Sequence, residues 1–115
     1  MFEQLEPEEN SVVEMIARYA AQDLAPAARE LDETSRAATC HLPQLGKLGI
    51  MGMNLPERFG GAGISAPALL ASVAAIAGAC GSTASLVTAH FLATDSILLA
   101  GDAAQRQRYL PAAAA

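Results

Sequence analysis

The stretch Leu55–Ile64, with the sequence LPERFGGAGI, decides the fold, because two long apolar segments follow directly after it. Three of the four residues from Gly60 to Gly63 are glycine. Glycine loses more conformational freedom than any other residue when it enters a helix or a strand, and Pro56 fixes φ near the start of the stretch. The pattern therefore predicts a tight loop that reverses the direction of the chain.

A helix is predicted to begin directly after this loop, at Ser65–Pro67. Serine can cap the first free amides of a helix, and proline fits its first turn. No Asp, Glu, Lys or Arg occurs over Phe59–Thr94, so other parts of the protein must cover much of this run. Gly81 is a typical helix stop and Ser82 a typical cap, which divides the run into two helices.

These two helices, at about 66–80 and 83–100, are predicted to form a buried antiparallel pair. The first has an apolar stripe and, on its opposite face, small residues that would let another helix backbone come close. The stripe contains Leu69, Val73, Ile76 and Cys80, and the small face contains Ala68, Ala71, Ala75 and Ala79. The second helix is apolar round nearly its whole circumference, which is typical of a helix buried on all sides.

The first half of the chain predicts shorter helices. Proline and two acids mark a helix start at Pro7, and Pro26 is expected to end that helix. Ala27–Glu33 is expected to add further turns within a solvated charged patch. A short helix over Leu42–Leu48 is expected to stop at Gly49.

The remaining segments complete the predicted fold. Ile50–Leu55 is interpreted as an extended apolar segment. Asp102 is expected to cap a last short helix that ends at Leu110, with no further element in Pro111 and the four alanines after it. The pattern predicts one all-α domain over residues 1–115, an orthogonal or up-down bundle of five or six helices around the buried antiparallel pair.

Composition supports helices and excludes some function classes. The chain is 52% hydrophobic but contains only three Phe, two Tyr and no Trp, so alanine and leucine must fill a helical core. A net charge of −5 argues against nucleic-acid binding, which needs clustered basic residues. Cys40 and Cys80 have no metal-ligand spacing and are expected to be reduced, buried thiols of a cytoplasmic protein.

Neither a signal peptide nor a membrane span is predicted. The first ten residues are acidic rather than basic and then apolar. The uncharged run resembles a span by charge alone, but Pro67, Gly78 and Gly81 break it into two halves.

No residue set with catalytic spacing is visible. The chain has no dinucleotide-binding or phosphate-binding glycine motif before a helix, no nucleophile with a base in a known local context, and no cluster of metal ligands. The Gly60–Gly63 loop lacks the lysine of a phosphate-binding loop, so it is interpreted as a structural turn. His90 is expected to be a hydrogen-bonded core histidine, and His41 to lie on the surface.

Three segments resemble one known family in the same order. They are Leu42–Gly52 (LPQLGKLGIMG), Leu55–Gly63 (LPERFGGAG) and Ala100–Pro111 (AGDAAQRQRYLP). Together they resemble the N-terminal helical domain of the acyl-CoA dehydrogenase family over nearly the whole chain.

The resemblance implies FAD-dependent α,β-desaturation of an acyl thioester. In that family, flavin N5 accepts a hydride from the β-carbon while a carboxylate removes the α-proton. A middle β-domain and a C-terminal helical domain hold most of the FAD and supply the base, and neither is present in these residues. The chain alone is therefore expected to be inactive and to have no catalytic residue. Its expected partners are acyl-CoA or an acyl-carrier thioester, the remaining enzyme domains, and further copies in a homo-oligomer.

The resemblance also implies a substrate-binding face on the second long helix. The positions that match the family's acyl-chain tunnel are Ala84, Ser85, Thr88 and Leu92, with spacing that places them on one helix face. Their Ser and Thr hydroxyls could instead bond only to the backbone one turn earlier. Two other interpretations remain open. The domain could belong to an acyl-CoA oxidase or a flavin monooxygenase, or it could be a stand-alone helical binding or assembly module.

Overall fold

The computed structural model describes residues 5–115, and within them the chain contains six α-helices and no strand. The helices are α1 (Pro7–Tyr19), α2 (Ala25–Glu33), α3 (Leu42–Lys47), α4 (Ala66–Ala79), α5 (Gly81–Ala100) and α6 (Ala103–Ala114). The predicted all-α fold of five or six helices is therefore confirmed. Residues 1–4, part of the acidic N-terminal segment, lie outside the described residues.

Helices α4 and α5 form the central pair, and a single residue, Cys80, joins them. Cys80 has extended geometry, with φ −154° and ψ 104°, and it bounds both helices. The predicted stop at Gly81 and cap at Ser82 are therefore wrong, since Gly81 is already the first residue of α5. The break between the two helices is only one residue long because Cys80 is bonded to both of them. The Cys80 N–H donates to Ile76 O of α4, and the Cys80 carbonyl oxygen accepts from Ala84 N of α5.

Helix α1 packs on the small-residue face of α4, as the alanine pattern predicted. Ala68 and Ala71 of α4 are buried in one cluster with Val13 of α1. The Ser65 hydroxyl caps α4 by accepting from Ala68 N at 3.4 Å, which confirms the predicted helix start. The Glu9 carboxylate ties α1 to this cap, accepting from Ser65 N at 2.7 Å and from Ser65 Oγ at 2.9 Å.

Pro26 lies inside helical structure rather than ending it, so that prediction is wrong. Between α1 and α2 the backbone forms a π-helical turn over Ala20–Leu24, in which the Ala25 N–H donates to Ala20 O. A proline ring clashes with the carbonyl four residues earlier in a regular α-helix. The wider π-turn precedes Pro26 and places it in the first turn of α2, where its missing N–H costs no helix hydrogen bond.

The segment from Ile50 to Ile64 is a compact loop. Ile50–Gly52 is a 3-10 turn with all three residues buried, so the predicted extended segment is wrong, although its burial is as expected. The predicted glycine turn is confirmed: Gly60 and Gly63 have φ of 84° and 58°, a region that L-residues avoid.

Helix α6 extends beyond its predicted end. Asp102 caps it, as predicted, and does so through a reciprocal pair of hydrogen bonds with Gln105. The predicted end at Leu110 is wrong, because the helix continues through Pro111 to Ala114. Leu110 and Ala114 are buried in a cluster with Leu55 and Phe59. This burial offsets the helix hydrogen bond that Pro111 cannot donate.

Helix α5 is buried on one side only. Its buried residues include Ala84, Val87 and Phe91, whereas Leu92 is 70% exposed and Leu99 80% exposed. The prediction that this helix is covered on all sides is therefore wrong for the described residues, which leave an apolar surface open. By length and composition alone, α5 is long and apolar enough to cross a membrane. The core helix of a globular protein meets the same criteria.

Candidate functional site

A groove of about 340 Å³ runs between α4 and α5. Each helix contributes residues spaced by three, four and seven positions, the spacing of one helix face. The lining residues are Ala66, Leu69, Leu70 and Val73 on α4, and Thr88, Phe91, Leu92 and Asp95 on α5. Because only Cys80 connects the helices, residues equally far from it lie side by side. The Val73 and Thr88 pair therefore marks one end of the groove, and the Ala66 and Asp95 pair marks the other.

The structure brings together part of the predicted substrate-binding face. Thr88 and Leu92 both line the groove. Ser85 is exposed on α5 about one turn before Thr88, outside the groove lining. Ala84 is 7% exposed and belongs to the main core cluster. Of the four predicted residues, Thr88 and Leu92 therefore line the groove, whereas Ser85 and Ala84 lie outside its lining.

A polar junction fixes one end of the groove to the loop that precedes α4. Asn54 Nδ2 donates to Asp95 Oδ1 at 2.8 Å and to Thr94 Oγ1 at 2.9 Å. Thr94 is buried, and its hydroxyl also lies 3.1 Å from the carbonyl oxygens of His90 and Phe91. The Asn54 amide must present its nitrogen here, since the reverse orientation would put its oxygen against the Asp95 carboxylate. Asp95 is therefore held in a defined position at the end of a largely apolar groove.

A second contact anchors the same loop to α5. His90 is half-buried, and its Nε2 lies 2.8 Å from Met51 O, which confirms the prediction of a hydrogen-bonded core histidine. His90 and Thr94 are one turn apart and face the loop, whereas Thr88 and Leu92 face the groove. The loop thus fixes the position of α5 without covering its groove-lining residues.

The glycine loop satisfies its own backbone groups. The amides of the glycine loop are used internally, with Gly61 N donating to Pro56 O, Ala62 N to Gly52 O and Gly63 N to Leu55 O. The interpretation of this loop as a structural turn agrees with these bonds. Within residues 5–115, no group of three or more His, Cys, Asp or Glu side chains could hold a metal ion.

The cysteines and histidines away from the groove differ partly from expectation. Both cysteines are free, and Cys80 is buried as predicted, but Cys40 is exposed, so its predicted burial is wrong. His41 is half-buried rather than on the surface, because it lies at the junction of a 3-10 turn and α3. Burial raises the pKa of the Tyr19 phenol, and the charges of Asp23 and Cys40 raise it further.

The charged patch on α2 is solvated, as predicted. Arg29 Nε and Glu33 Oε1 form an exposed ion pair at 2.8 Å. Such pairs contribute little to stability, and this one lies outside the groove lining. The groove remains the candidate site.

Comparison with known proteins identifies the family. The profile described as acyl-CoA dehydrogenase, N-terminal domain, matches residues 6–115. The chain belongs to this family. The predicted resemblance is confirmed, and the acyl-CoA dehydrogenase N-terminal domain accounts for nearly all of the described residues.

Curated acyl-CoA dehydrogenases align with most of the chain. The short-chain specific enzyme of Clostridium acetobutylicum is 30% identical over 104 residues, which are 90% of this chain and 27% of that protein. A probable acyl-CoA dehydrogenase of Bacillus subtilis is 32% identical over 108 residues, 93% of this chain and 28% of that protein. The chain therefore spans only about a quarter of the length of these relatives.

Two further proteins are similar to the chain. An acryloyl-CoA reductase (NADH) of Anaerotignum propionicum is 27% identical over 104 residues, 90% of this chain and 26% of that protein. A solved structure described as an electron transferring flavoprotein of Acidaminococcus fermentans superposes with a TM-score of 0.90 at 24% identity, covering 99% of this chain and 30% of that chain. The latter likeness supports the fold alone.

Sequence reasoning missed Asn54 as a member of the site. Its signal was weak but present, because Asn54 is the polar residue within the apolar segment from Ile50 to Leu55. The α4 wall was visible as the stripe of Leu69 and Val73, although it was assigned to the core rather than to a groove.

Proposed function

We propose that this chain is the N-terminal domain of an FAD-dependent acyl-CoA dehydrogenase that desaturates an acyl thioester between its α- and β-carbons. The observation that carries the proposal is the open apolar groove, in which Thr88 and Leu92 lie side by side. Leu70 and Leu92 are 61% and 70% exposed at this groove. An apolar surface of this kind is typical of a site that a ligand or another domain covers.

In this proposal the chain binds and shields rather than reacts. The groove lining is mostly aliphatic, so it would exclude water from an acyl chain and align it by burial. Bound FAD would accept the hydride in the reaction. The proposal assigns FAD binding and the carboxylate base to other domains of the enzyme, as the family resemblance implies.

The same proposal extends to partners and location. The exposed leucines would be covered by the FAD-binding domains and by other copies in a homo-oligomer. The substrate would be acyl-CoA or an acyl-carrier thioester, and the protein would be cytoplasmic, where its two free thiols stay reduced.

A domain exchange tests the proposal. The stretch of the Clostridium acetobutylicum short-chain acyl-CoA dehydrogenase that aligns with this chain would be replaced by the chain. We expect the hybrid to retain FAD and to bleach its flavin when butyryl-CoA is added without oxygen. The unexchanged enzyme is the positive control, and the same enzyme lacking the stretch is the negative control.

Two alternatives are tested on the complete enzyme to which this domain would belong, because the reacting groups are assigned to its other domains. Hydrogen peroxide formed in stoichiometric amount under air would favour the acyl-CoA oxidase interpretation, and a hydroxylated product would favour the flavin monooxygenase. The hybrid tests the third alternative. A soluble, folded hybrid with bound FAD and no response to any acyl-CoA would favour a stand-alone binding or assembly module.

The isolated chain should also lack flavin. Because the amides of the glycine loop are already bonded within the loop, we expect the chain to emerge colourless after incubation with excess FAD and desalting. A flavin absorption band at near-stoichiometric amount would contradict this expectation. The complete Clostridium enzyme, treated in the same way, shows that the procedure preserves bound flavin.

A further inference from the structure

The groove between α4 and α5 is not uniformly apolar. Asp95 is the charged residue that lines it among the described residues, and it lies at the end opposite Thr88. The two positions are seven residues apart, about 10 Å along the helix. A ligand lying along the groove would therefore meet a hydroxyl at one end, aliphatic walls in the middle and a carboxylate at the other end.

The structure gives the carboxylate a fixed position. Asn54 Nδ2 holds Asp95 Oδ1 at 2.8 Å, and the same nitrogen is bonded to the buried Thr94 hydroxyl. A surface aspartate without such a partner would spread its charge over several rotamers. The Asn54 contact instead keeps the charge at the end of the groove, which is the condition for selective recognition.

The lining of the groove does not neutralise Asp95. None of the residues lining the groove in the described part of the chain is basic. The Asp95 carboxylate therefore repels a negatively charged group that enters this end of the groove.

We infer that Asp95, positioned by Asn54, is a specificity-determining residue that reads the distal end of the acyl chain. The inference rests on the proposed function, in which the groove holds that chain. A distal hydroxyl donates a charge-assisted hydrogen bond to the Asp95 carboxylate. A distal methyl leaves the carboxylate unpaired beside an apolar group, and a distal carboxylate meets like charge. The groove therefore selects acyl thioesters in the order hydroxyl, methyl, carboxylate.

The test uses the chain itself and three matched probes. These are hexanoyl-CoA, omega-hydroxyhexanoyl-CoA and adipoyl-CoA, which have equal length and differ at the distal carbon. Amide chemical shifts of Thr88 and Leu92 report whether each probe occupies the groove, and titration gives its Kd. We expect omega-hydroxyhexanoyl-CoA to bind about threefold more tightly than hexanoyl-CoA, and about tenfold more tightly than adipoyl-CoA.

Variants separate charge from hydrogen bonding. Asp95→Asn removes the charge and should bring the affinity for adipoyl-CoA to within about twofold of that for hexanoyl-CoA. Asp95→Leu removes the acceptor as well and should reverse the preference for the hydroxyl probe. Glu30→Gln, on the exposed face of α2, is the control, because it changes the net charge equally and should leave all three ratios unchanged.

Salt gives an independent readout. Raising ionic strength screens like-charge repulsion, so the discrimination against adipoyl-CoA should shrink while the preference for the hydroxyl over the methyl probe persists. A merely structural role for Asp95 would change all three affinities together and would show no such split.

The outcomes distinguish this inference from the function on which it rests. Equal affinities of the three probes, with shifts at Thr88 and Leu92, would overturn the role of Asp95 and leave the acyl groove intact. Shifts at neither residue with any probe would overturn the groove assignment and this inference together. Discrimination that survives in Asp95→Leu would also overturn the inference.

Discussion

The loop from Ile50 to Ile64 and the groove between α4 and α5 differ in how the chain covers them. Both consist largely of apolar and small residues. The loop contacts α5, and the groove has α5 as one of its two walls. The loop closes on itself, with Leu55 fully buried and with Ala62 N and Gly63 N bonded to carbonyls of the same loop. In the groove, by contrast, Leu70 and Leu92 remain exposed to solvent. The comparison teaches that composition alone does not distinguish a surface that the chain buries itself from one left for something else.

The largest effect is expected from a substitution in the loop. A Cβ at Gly61 would clash with the carbonyl oxygen of Leu55 and lie 2.6 Å from that of Gly52. Both obstacles are backbone atoms that cannot move aside, so Gly61→Ala should lower the free energy of unfolding by about 3 kcal/mol or more. Urea denaturation followed by circular dichroism measures this.

Gly78→Ala is the matched control for that experiment. Gly78 lies inside α4, and no neighbouring atom lies within 4 Å of the position that a Cβ would occupy. Alanine should therefore stabilise the helix by about 0.5–1 kcal/mol. Equal destabilisation by the two substitutions would contradict the tight packing described for the loop.

The second effect compares the two sides of α5. Ala84 is 7% exposed within the core, so Ala84→Phe should cost about 1–3 kcal/mol by overpacking. Thr88 is exposed in the groove, and Thr88→Phe should change stability by less than about 0.5 kcal/mol. Thermal melts of the two variants give the comparison directly.

The activity of the domain-exchange hybrid on acyl chains of different lengths gives a second measurement for Thr88. Thr88→Phe should reduce kcat/KM for long acyl chains far more than for short ones, since losing room for one methylene costs about 1–3 kcal/mol of discrimination. A uniform loss over all chain lengths, with a lowered melting temperature, would instead assign Thr88 to structural packing.

A third effect concerns association of the isolated chain. Leu92 and Leu99 are 70% and 80% exposed on α5, and exposed apolar surface promotes association. We expect the chain to form dimers or larger species by light scattering, and Leu92→Glu with Leu99→Glu to shift it toward monomer.

Added charge alone must be separated from loss of the apolar surface. The double variant Ala37→Glu with Thr39→Glu adds the same charge at exposed positions outside α5 and should leave association within about twofold of the original chain. A chain that is monomeric at high concentration and binds no hydrophobic dye would show that the open groove does not drive association.

The smallest effect is the pH dependence at Tyr19. Burial raises its pKa above the ordinary value of 10.0, with Asp23 and Cys40 contributing in the same direction. The folded state therefore holds the phenolic proton more tightly than the unfolded state does. This contribution is complete below the unfolded pKa and is lost as pH rises through the folded pKa. Tyr19→Phe should flatten the loss of stability above about pH 10, as measured by urea midpoints across alkaline pH.

Local chemistry made several boundaries predictable from the sequence. The Ser65 cap and the Asp102 capping pair depend on side chains within a few residues, and both are present. The helix stop at Gly49 depends on the ease with which glycine adopts a left-handed conformation, which it has here. The same holds for the hydrogen-bonded His90, whose burial followed from its apolar neighbours along the helix.

Two of the failed predictions concern segments with long-range contacts. The α6 extension past Pro111 depends on burial of Leu110 and Ala114 against a loop some fifty residues earlier in the chain. The compact turn at Ile50–Gly52 also lies against the end of α6, since a Cβ at Gly52 would lie 2.9 Å from Ala114 O. No local pattern contains such information.

The candidate site was predictable on one helix only. The family resemblance located Thr88 and Leu92, but the groove exists because α4 supplies the opposite wall, and Asp95 is fixed only because Asn54 reaches it from the loop. Helical spacing identifies which residues share a face. It does not identify which partner faces them.

The packing of α6 on the loop also sets an order for folding during synthesis. Leu55 and Phe59 are made early, yet the residues that bury them, Leu110 and Ala114, are made about fifty positions later. Contacts that close such long segments form slowly. On the ribosome, the contacts between α1 and α4 can therefore form first, while the glycine loop remains uncovered. During that interval the apolar side chains of Leu55 and Phe59 lack the partners that cover them in the folded domain.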